Sequence, residues 1–395
     1  MEQQGQSNPE NQPAPPAGDE PELVPAALQS HRRLRVGWVA GPETLDLYGR
    51  SLQPLAIGLL DEVIDVAALC PQQCDVQELP SPPIEILRYG KRRWRLLSPN
   101  PIEVLADEMQ RRRVDLLHAL DCDAWPMTAR LARLAGRHCI LSSYSLDDAR
   151  RLGHLGDGVA AVLAASDPIQ VSLAAHRVTR PERIQLLRPG VYQVRHATCF
   201  QDPSYRVSII AGGDLDDFAA FDAVVKCFGQ LRDRKYDCVF FILGNGRAEK
   251  SLRASAERLG IRHELTFVDQ QPARSLPGIF KAADIYISPV ANRGLDMACL
   301  LAMAAGVPVL AAAEGASDFL AGDKIVTRFN QGDATDLTRK LTGLMDNHAA
   351  AKEIAERALT HLRAHHSPAR VVAALTEVYR RVAEMPKPSP ALQTV

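Results

Sequence analysis

The sequence predicts an α/β protein made of two doubly wound domains that face a cleft. Strand-like apolar runs alternate with helical patterns along most of the 395 residues, and this alternation is typical of parallel sheets covered by helices. The length exceeds what one ordinary core supports, so two domains are expected. The clearest unit is residues 284–310, which reads as strand, loop, apolar helix and strand, with the helix amino end facing a crevice.

The composition excludes several classes of function. The net charge is -1, with 46 Lys and Arg against 47 Asp and Glu, so nucleic acid is not an expected partner. The eight cysteines are scattered, as is usual for reduced thiols in the cytosol. Cys70 and Cys74 lack the second pair or the histidines of a zinc site, so we expect no metal and no cofactor. No apolar run reaches the roughly 18 to 20 residues of a membrane span, which predicts a cytoplasmic protein.

The two ends of the chain are predicted to lack structure. Residues 1–32 are rich in Pro, Gln, Asn, Glu and Gly and contain almost nothing to bury, which is typical of a disordered leader. Residues 386–395 form a proline-containing tail of the same kind.

The first domain is expected over residues 33–195. It begins with a strand at 34–41 and a helix at 45–60, in spite of Pro54. Further strands are expected at 63–69, 114–120, 138–141, 159–163 and 184–187, and helices at 101–112, 126–135 and 168–176. Pro101 suits the first turn of its helix.

The second domain is expected over residues 206–368, after a polar linker at 196–205. Its strands are predicted at 207–211, 239–243, 265–267, 284–288, 307–310 and 324–327, and its helices at 218–231, 248–259, 294–305, 334–345 and 352–364. A last helix is expected within 369–385.

Six short motifs follow one another through the second domain. They are Phe241-Ile242-Leu243-Gly244-Asn245-Gly246, Leu259-Gly260-Ile261, Thr266-Phe267-Val268, Ala283-Asp284-Ile285-Tyr286-Ile287-Ser288-Pro289, Ala302-Met303-Ala304-Ala305-Gly306-Val307-Pro308-Val309 and Gly332-Asp333-Ala334. In this order they resemble the motifs of group 1, family 4-like glycosyltransferases of the GT-B fold. The resemblance implies an acceptor-side and a nucleotide-sugar-side Rossmann-like domain, with a final helix that crosses back to the first. It also implies sugar transfer from a nucleotide-diphosphate sugar to a glycan or lipid-linked acceptor.

Four positions depart from the family pattern. Aligned on Ala302-Met303-Ala304, the two glutamates before and inside the central helix become Arg293 and Leu301. The Arg and Lys that usually follow the first strand of this domain fall near Gly213 and Phe218, in an acidic loop. In the family the cations stabilise the diphosphate and the glutamates hold donor hydroxyls. The departures therefore imply a reduced or altered activity.

The remaining candidates for donor binding lie on two glycine-containing loops. They are Gly244, Asn245, Gly246, Arg247, Arg293, Gly294 and Asp296. Free amides and the helix dipole favour anions at the amino end of the central helix, beside Arg293. The alternatives are a solvated loop residue for Arg293 and a tight strand-to-helix turn for the 244–247 loop.

His118 is the candidate catalytic residue. It lies near the end of the predicted strand at 114–120, which resembles the family strand that ends in a histidine pair, with Leu120 at the second position. An imidazole at the cleft can act on an acceptor hydroxyl. The alternative is a histidine bonded within the sheet edge.

One dense basic run could dock an anionic lipid surface or a nucleic acid. Its residues are Arg88, Lys91, Arg92, Arg93, Trp94 and Arg95. A solvated loop is the favoured alternative, because no second basic stripe accompanies the run.

Three functions stay open at this point. The first is a glycosyltransferase, and the second is a catalytically inactive GT-B homologue that acts as a binding or scaffold protein. A third and weaker hypothesis is another GT-B chemistry, such as nucleotide-sugar epimerisation.

Overall fold

A computed structural model describes residues 32–74, 76, 79, 84–90, 101–155, 158–201, 206–321 and 324–388. The chain forms two units, Met1–Arg32 and Arg33–Val395. The predicted leader, except Arg32, lies outside the described residues, as do 202–205 of the predicted linker and 389–395 of the tail. Everything below concerns the second unit.

In the described part of the first half, seven parallel strands form one sheet. The elements are β1 (Leu34–Val39), α1 (Pro42–Asp61), β2 (Ile64–Pro71), β3 (Glu85–Tyr89), α2 (Pro101–Arg111), β4 (Leu116–Ala119), α3 (Trp125–Ala135), β5 (His138–Ser143), α4 (Asp148–Leu152), β6 (Ala161–Ala164), α5 (Asp167–Ala175) and β7 (Ile184–Leu186). The strand order is β3-β2-β1-β4-β5-β6-β7. The order reverses between β1 and β4, which opens a crevice at their carboxyl ends.

In the described part of the second half, six parallel strands form the other sheet. The elements are β8 (Val207–Gly212), α6 (Phe218–Asp233), β9 (Cys238–Leu243), α7 (Glu249–Arg258), β10 (Leu265–Val268), α8 (Leu276–Lys281), β11 (Ile285–Ser288), α9 (Met297–Ala304), β12 (Val309–Ala312), β13 (Thr327–Phe329), α10 (Ala334–Asp346), α11 (His348–His365) and α12 (Pro368–Glu384). The order β10-β9-β8-β11-β12-β13 places its switch point between β8 and β11.

The predicted doubly wound α/β fold is confirmed. Most predicted strands and helices exist within a few residues, and α2 begins at Pro101 as expected. The sequence did not predict β3, which contains Arg88 of the basic run, or the short helices α4 and α8. Each of these segments has six residues or fewer, and so carries little periodic signal.

The final helix crosses back to the first half. Apolar residues of α12, among them Leu375 and Tyr379, share a buried cluster with Trp38 and Leu52. The indole Nε1 of Trp38 donates a hydrogen bond to the hydroxyl of Tyr379 at 2.8 Å. The contact is close enough that a Cβ on Gly58 of α1 would lie 2.5 Å from Val372.

The apolar helix that defines the clearest sequence unit is α9, and seven of its eight residues are buried. It packs between both halves, because its residues belong to an apolar cluster that also contains residues of the first sheet. A helix surrounded on all sides does not need a polar face. None of the described helices is both long enough and apolar enough to cross a bilayer.

Candidate functional site

The candidate site lies where the carboxyl ends of both sheets face each other. Three loops of the second half contribute, after β8, β9 and β11, and one loop of the first half, after β5. In doubly wound folds ligands bind at this edge, outside the switch point. The positions of the side chains in these loops therefore decide what can bind.

Arg293 forms an ion pair with Asp147 across the cleft. Its Nε lies 2.8 and 2.9 Å from the two carboxylate oxygens of Asp147, and its terminal nitrogen lies 2.6 Å from Oδ1. The hydrogen bonds from Arg293 hold the pKa of the Asp147 carboxyl below its usual range. Arg293 thus contacts the opposite half of the molecule, and Asp147 occupies its guanidinium.

Backbone hydrogen bonds join the same two loops. The amide of Leu146 donates to the carbonyl of Arg293 at 2.8 Å, and the amide of Leu295 donates to the carbonyl of Tyr144 at 2.8 Å. Ser145 and Gly294 form an antiparallel bridge between these bonds. We call residues 144–147 and 293–295 together the clamp.

The first-half side of the clamp is held in shape by Asp148. Its Oδ2 accepts hydrogen bonds from the hydroxyl of Ser143 at 2.9 Å and from the amides of Tyr144 and Ser145 at 3.0 Å. A buried carboxylate with three donors fixes the loop in one conformation. The clamp is therefore a contact between the two halves in which the first-half loop has a fixed conformation.

Asp296 braces the loop before α9. Its Oδ1 caps the helix by accepting from the amide of Cys299 at 2.9 Å. Its Oδ2 accepts from the hydroxyl of Ser288 at 2.6 Å and from the side-chain Nδ2 of Asn292 at 2.9 Å. Both oxygens are used within the loop, so the geometry favours a structural role over donor binding.

The 244–247 loop packs against the loop after β8. Gly244 has φ +147°, and a Cβ there would lie 2.0 Å from the carbonyl oxygen of Gly213. A Cβ on Gly246 would lie 2.4 Å from the carbonyl carbon of Leu215. The glycines are required for this close approach of two backbones, which is the tight-turn alternative.

The two polar side chains of that loop also contact neighbouring loops. Oδ1 of Asn245 accepts from the amide of Gln270 at 3.0 Å. The guanidinium of Arg247 pairs with Asp216 at 3.0 Å, and its amide donates to the same carboxylate at 2.6 Å. Arg247 extends into solvent, with 88% of its side chain exposed.

The loop after β8 has an acidic character where the family has two cations. Asp217 caps α6 by accepting from Ala220 at 3.0 Å and also accepts from Gln331 at 2.7 Å. Phe218 is partly exposed beside it. The cationic side chains that we predicted for donor binding, Arg247 and Arg293, are both paired with aspartates.

Leu301 takes the position of the second family glutamate and is buried. It lines a cavity of about 190 Å³ together with Ser51, Val191 and Lys281 among others. The side chain offers no acceptor for a ribose hydroxyl. The family resemblance implies an acceptor at this position, and Leu301 supplies none.

His118 is buried within the first sheet and both of its ring nitrogens are used. Nδ1 lies 2.7 Å from the hydroxyl of Tyr379, and Nε2 lies 2.9 Å from the hydroxyl of Ser142. Trp38 also donates to the Tyr379 oxygen, and the tautomer of His118 decides which ring nitrogen donates to its hydroxyl partner. Burial lowers the pKa of His118 to about 3. This geometry favours the alternative of a bonded sheet histidine, and its catalytic role stays a prediction.

Arg88 is the described member of the basic run, and it donates to the carbonyls of Gln72 at 2.8 Å and Cys74 at 3.0 Å. Lys91, Arg92, Arg93, Trp94 and Arg95 lie outside the described residues. Membrane contact through this run therefore stays a prediction.

Sequence reasoning missed Asp147, the partner of Arg293. The two residues are separated by 146 positions, and no local pattern links them. Only a comparison of their charges across the two predicted domains could have suggested the pair.

Comparisons with known proteins agree with this architecture. Residues 208–361 match the family model of glycosyl transferases group 1. The D-inositol 3-phosphate glycosyltransferase of Segniliparus rotundus is 24% identical over 165 residues, which are 41% of this chain and 36% of that protein. The lipopolysaccharide glucosyltransferase WaaG of Escherichia coli is 26% identical over 185 residues, which are 42% of this chain and 48% of that protein.

The overall fold also matches a solved structure. The structure of Anabaena Alr3699/HepE in complex with UDP and glucose has a TM-score of 0.71 at 14% identity, covering 88% of this chain and 100% of that one. The molecule is thus a GT-B protein of two facing doubly wound domains. Residues 208–361 of its second half are similar to the glycosyl transferases group 1 family. These matches span about a third to a half of the length of the two curated relatives.

Proposed function

We propose that this chain is a group 1 glycosyltransferase homologue that acts as a binding or scaffold protein, without sugar transfer of the usual kind. The observation that carries the proposal is the ion pair between Arg293 and Asp147, which occupies the position of the first family glutamate. A cytoplasmic location is part of the proposal. It is supported by eight buried cysteines that form no disulfide.

The charge around the cleft supports the same conclusion. A leaving diphosphate needs cations, amides or a metal to stabilise its charge. The loop after β8 contains Asp214, Asp216 and Asp217, and the positions of the family Arg and Lys fall near Gly213 and Phe218 in this acidic loop. Arg247 and Arg293 have aspartate partners already, so binding a donor would require these ion pairs to break.

The second candidate is a glycosyltransferase with reduced or altered activity. It is favoured by the retained strand, loop and helix frame of residues 284–310 and by solved relatives in complex with UDP and UDP-glucose. In that case the substrates would be a nucleotide-sugar donor and a glycan or lipid-linked acceptor. The names of the relatives, which act on inositol phosphate or lipopolysaccharide, suggest this acceptor class.

A panel of UDP-, GDP- and ADP-sugars separates the two candidates. A ligand that binds the folded state raises the melting temperature by mass action. We expect no donor to shift the melting temperature of the chain at millimolar concentration. A reproducible shift with any donor, together with its hydrolysis or transfer, would establish the second candidate instead.

A pair of substitutions tests whether the clamp is the obstacle. Arg293→Glu with Leu301→Glu restores both family glutamates and breaks the ion pair with Asp147. We expect this double variant to gain a donor-dependent shift in melting temperature. Arg206→Glu is the matched control, because it breaks an exposed ion pair with Asp237 away from the cleft. A gain in the control as well would show that the clamp is irrelevant.

A further inference from the structure

Three potential metal ligands converge where the chain crosses between the two halves. Asp318 lies in a short 3-10 turn, His361 in α11, and His366 directly after α11. One ligand atom from each lies within 4.8 Å of the other two. Together with Arg188, which contacts Asp318, we call these residues the crossing cluster.

Each of the three potential ligands has a polar atom without a hydrogen-bond partner in the part of the chain that the structure describes. Oδ1 of Asp318, Nε2 of His361 and Nε2 of His366 are buried, and none has a hydrogen-bond partner among the described residues. Buried polar atoms in folded proteins are nearly always paired, and exceptions call for an explanation such as a bound ion. Three exceptions at one place indicate a shared partner.

The neighbours of His366 set its tautomer. Nδ1 lies 2.9 Å from the carbonyl oxygen of Pro189. A carbonyl only accepts, so Nδ1 carries the proton and Nε2 presents a lone pair. A neutral imidazole with a free Nε2 lone pair is the form that binds metals.

A hydrogen bond from Arg188 orients the carboxylate of Asp318. Its Oδ2 accepts from Nε of Arg188 at 2.5 Å, which leaves Oδ1 for another partner. Arg188 also pairs with Asp167 at 2.8 Å. The charge of the guanidinium is therefore shared between two carboxylates, which reduces its repulsion of a bound cation. Such outer contacts orient ligands in natural metal sites.

We propose that Asp318, His361 and His366 bind a divalent transition-metal ion of the zinc class. Two imidazoles and one carboxylate are a ligand set that such ions favour. Ligand atoms around a tetrahedral zinc lie about 3.4 Å apart, so the three atoms need to close by at most about 1.4 Å. Small side-chain rotations of the three ligands would supply this movement. The exposed His365 lies one turn further on, with its ring centroid 4.7 Å from that of His361.

A metal at this site would connect the two segments in which the chain passes from one half to the other. The amide of Val191 donates to the carbonyl of His366 at 2.9 Å, and Pro189 holds the His366 ring. The metal would thus connect α11 to the segment that leads from the first half to the second. The proposal does not depend on whether the cleft binds a nucleotide sugar.

Metal titration of the tag-free full-length chain tests the proposal. After dialysis against a chelator, calorimetry with Zn²⁺ should show one equivalent bound. The double variant His361→Ala with His366→Asn should lose at least about 100-fold in affinity. His263→Ala, an exposed histidine outside the group, should bind as the unaltered chain does. Equal affinity in the double variant, or no stoichiometric binding to the unaltered chain, would overturn the proposal.

Cobalt gives a second readout that does not need a folded variant. Co²⁺ in a four- or five-coordinate protein site absorbs strongly in the visible range, whereas ions at the surface keep the weak spectrum of six-coordinate Co²⁺. We expect the strong spectrum with one equivalent of Co²⁺ and its loss when Zn²⁺ displaces the cobalt. A weak spectrum throughout would mean adventitious surface binding and would contradict the site. Asp318→Asn should weaken the strong spectrum while circular dichroism shows that the fold is kept.

Discussion

The two halves of the molecule meet at the clamp and at the crossing cluster, and these contacts differ in burial and in pairing. At the clamp, Arg293 and Asp147 have side-chain exposures of 54% and 45%. At the crossing cluster, Arg188 and Asp318 have side-chain exposures of 18% and 6%. The clamp is complete in its hydrogen bonds, whereas the crossing cluster leaves three buried atoms without partners.

Because of this difference, the two polar contacts have different effects on the protein. An exposed ion pair contributes little to stability, because water screens it and competes for both groups. Under the proposed function, the ion pair at the clamp occupies the place where a donor would bind. A buried pair is costly to break, because the remaining charge has no water to replace its partner. The crossing cluster is therefore the contact that is important for stability, whereas the proposed function gives the clamp a role in ligand access.

The largest expected difference in the free energy of unfolding comes from replacing the arginine by methionine at the crossing cluster and at the clamp. Arg188→Met leaves the carboxylate of Asp318 buried without its ion partner and should lower the free energy of unfolding by about 3 kcal/mol. Arg293→Met should leave it nearly unchanged, because both partners are exposed. Urea unfolding in the presence of a chelator measures both values. Similar losses in the two variants would contradict the distinction between the contacts.

Acid should also affect stability through the buried histidines. Burial lowers the pKa of His118 to about 3 and that of His366 to about 4, both below the roughly 6.5 of an unfolded histidine. The unfolded chain therefore binds more protons below about pH 6.5, and stability falls as the pH decreases. Each histidine should account for about 2 kcal/mol between about pH 6.5 and about pH 5.

Urea unfolding at both pH values in a chelator checks this prediction. His366→Asn should remove the contribution of His366 to the pH dependence, because asparagine does not titrate. The exposed His263→Asn serves as the control and should keep the full dependence. Stability that is independent of pH in this range would mean that the two rings are not held neutral.

Much of the fold could be predicted from the sequence, because it is recorded in local patterns. The strand at 34–39 and the helix at 42–61 follow from apolar spacing over short windows. The substitution of Arg293 for a family glutamate was also visible. The partner of Arg293 was not, since a contact between loops of different sheets leaves no periodic signal.

The crossing cluster was missed for a related reason. Sequence reasoning predicted no metal because it looked for ligand pairs at zinc-finger spacing. His361 and His366 are close in sequence, but Asp318 reaches them only through the packing of α11 on the second half. For His118, the sequence predicted the position but not the surroundings. Its position in the sheet was predicted, but its burial and its bond to Tyr379 depend on the final helix.

The smallest expected effect comes from adding one methyl group at each contact. A Cβ on Gly190 would lie 3.0 Å from the Cα of Pro368, whereas a Cβ on Gly294 would lie 3.6 Å from its nearest neighbour, the carbonyl oxygen of Tyr144. Gly190→Ala should therefore overpack the crossing and cost about 1 kcal/mol in the free energy of unfolding. Gly294→Ala should fit without a cost, because its methyl group makes an ordinary contact.

The same pair of alanine variants connects stability to the proposed metal. If the crossing must stay closely packed to hold the three ligands together, Gly190→Ala should also weaken Zn²⁺ binding, while Gly294→Ala should not. Calorimetric titration of both variants with Zn²⁺ measures this. A stability loss at Gly190 without any change in zinc affinity would show that the packing of the crossing and the ligand geometry are independent. In that case, the metal would be held by α11 and the turn at Asp318 without help from the crossing segment.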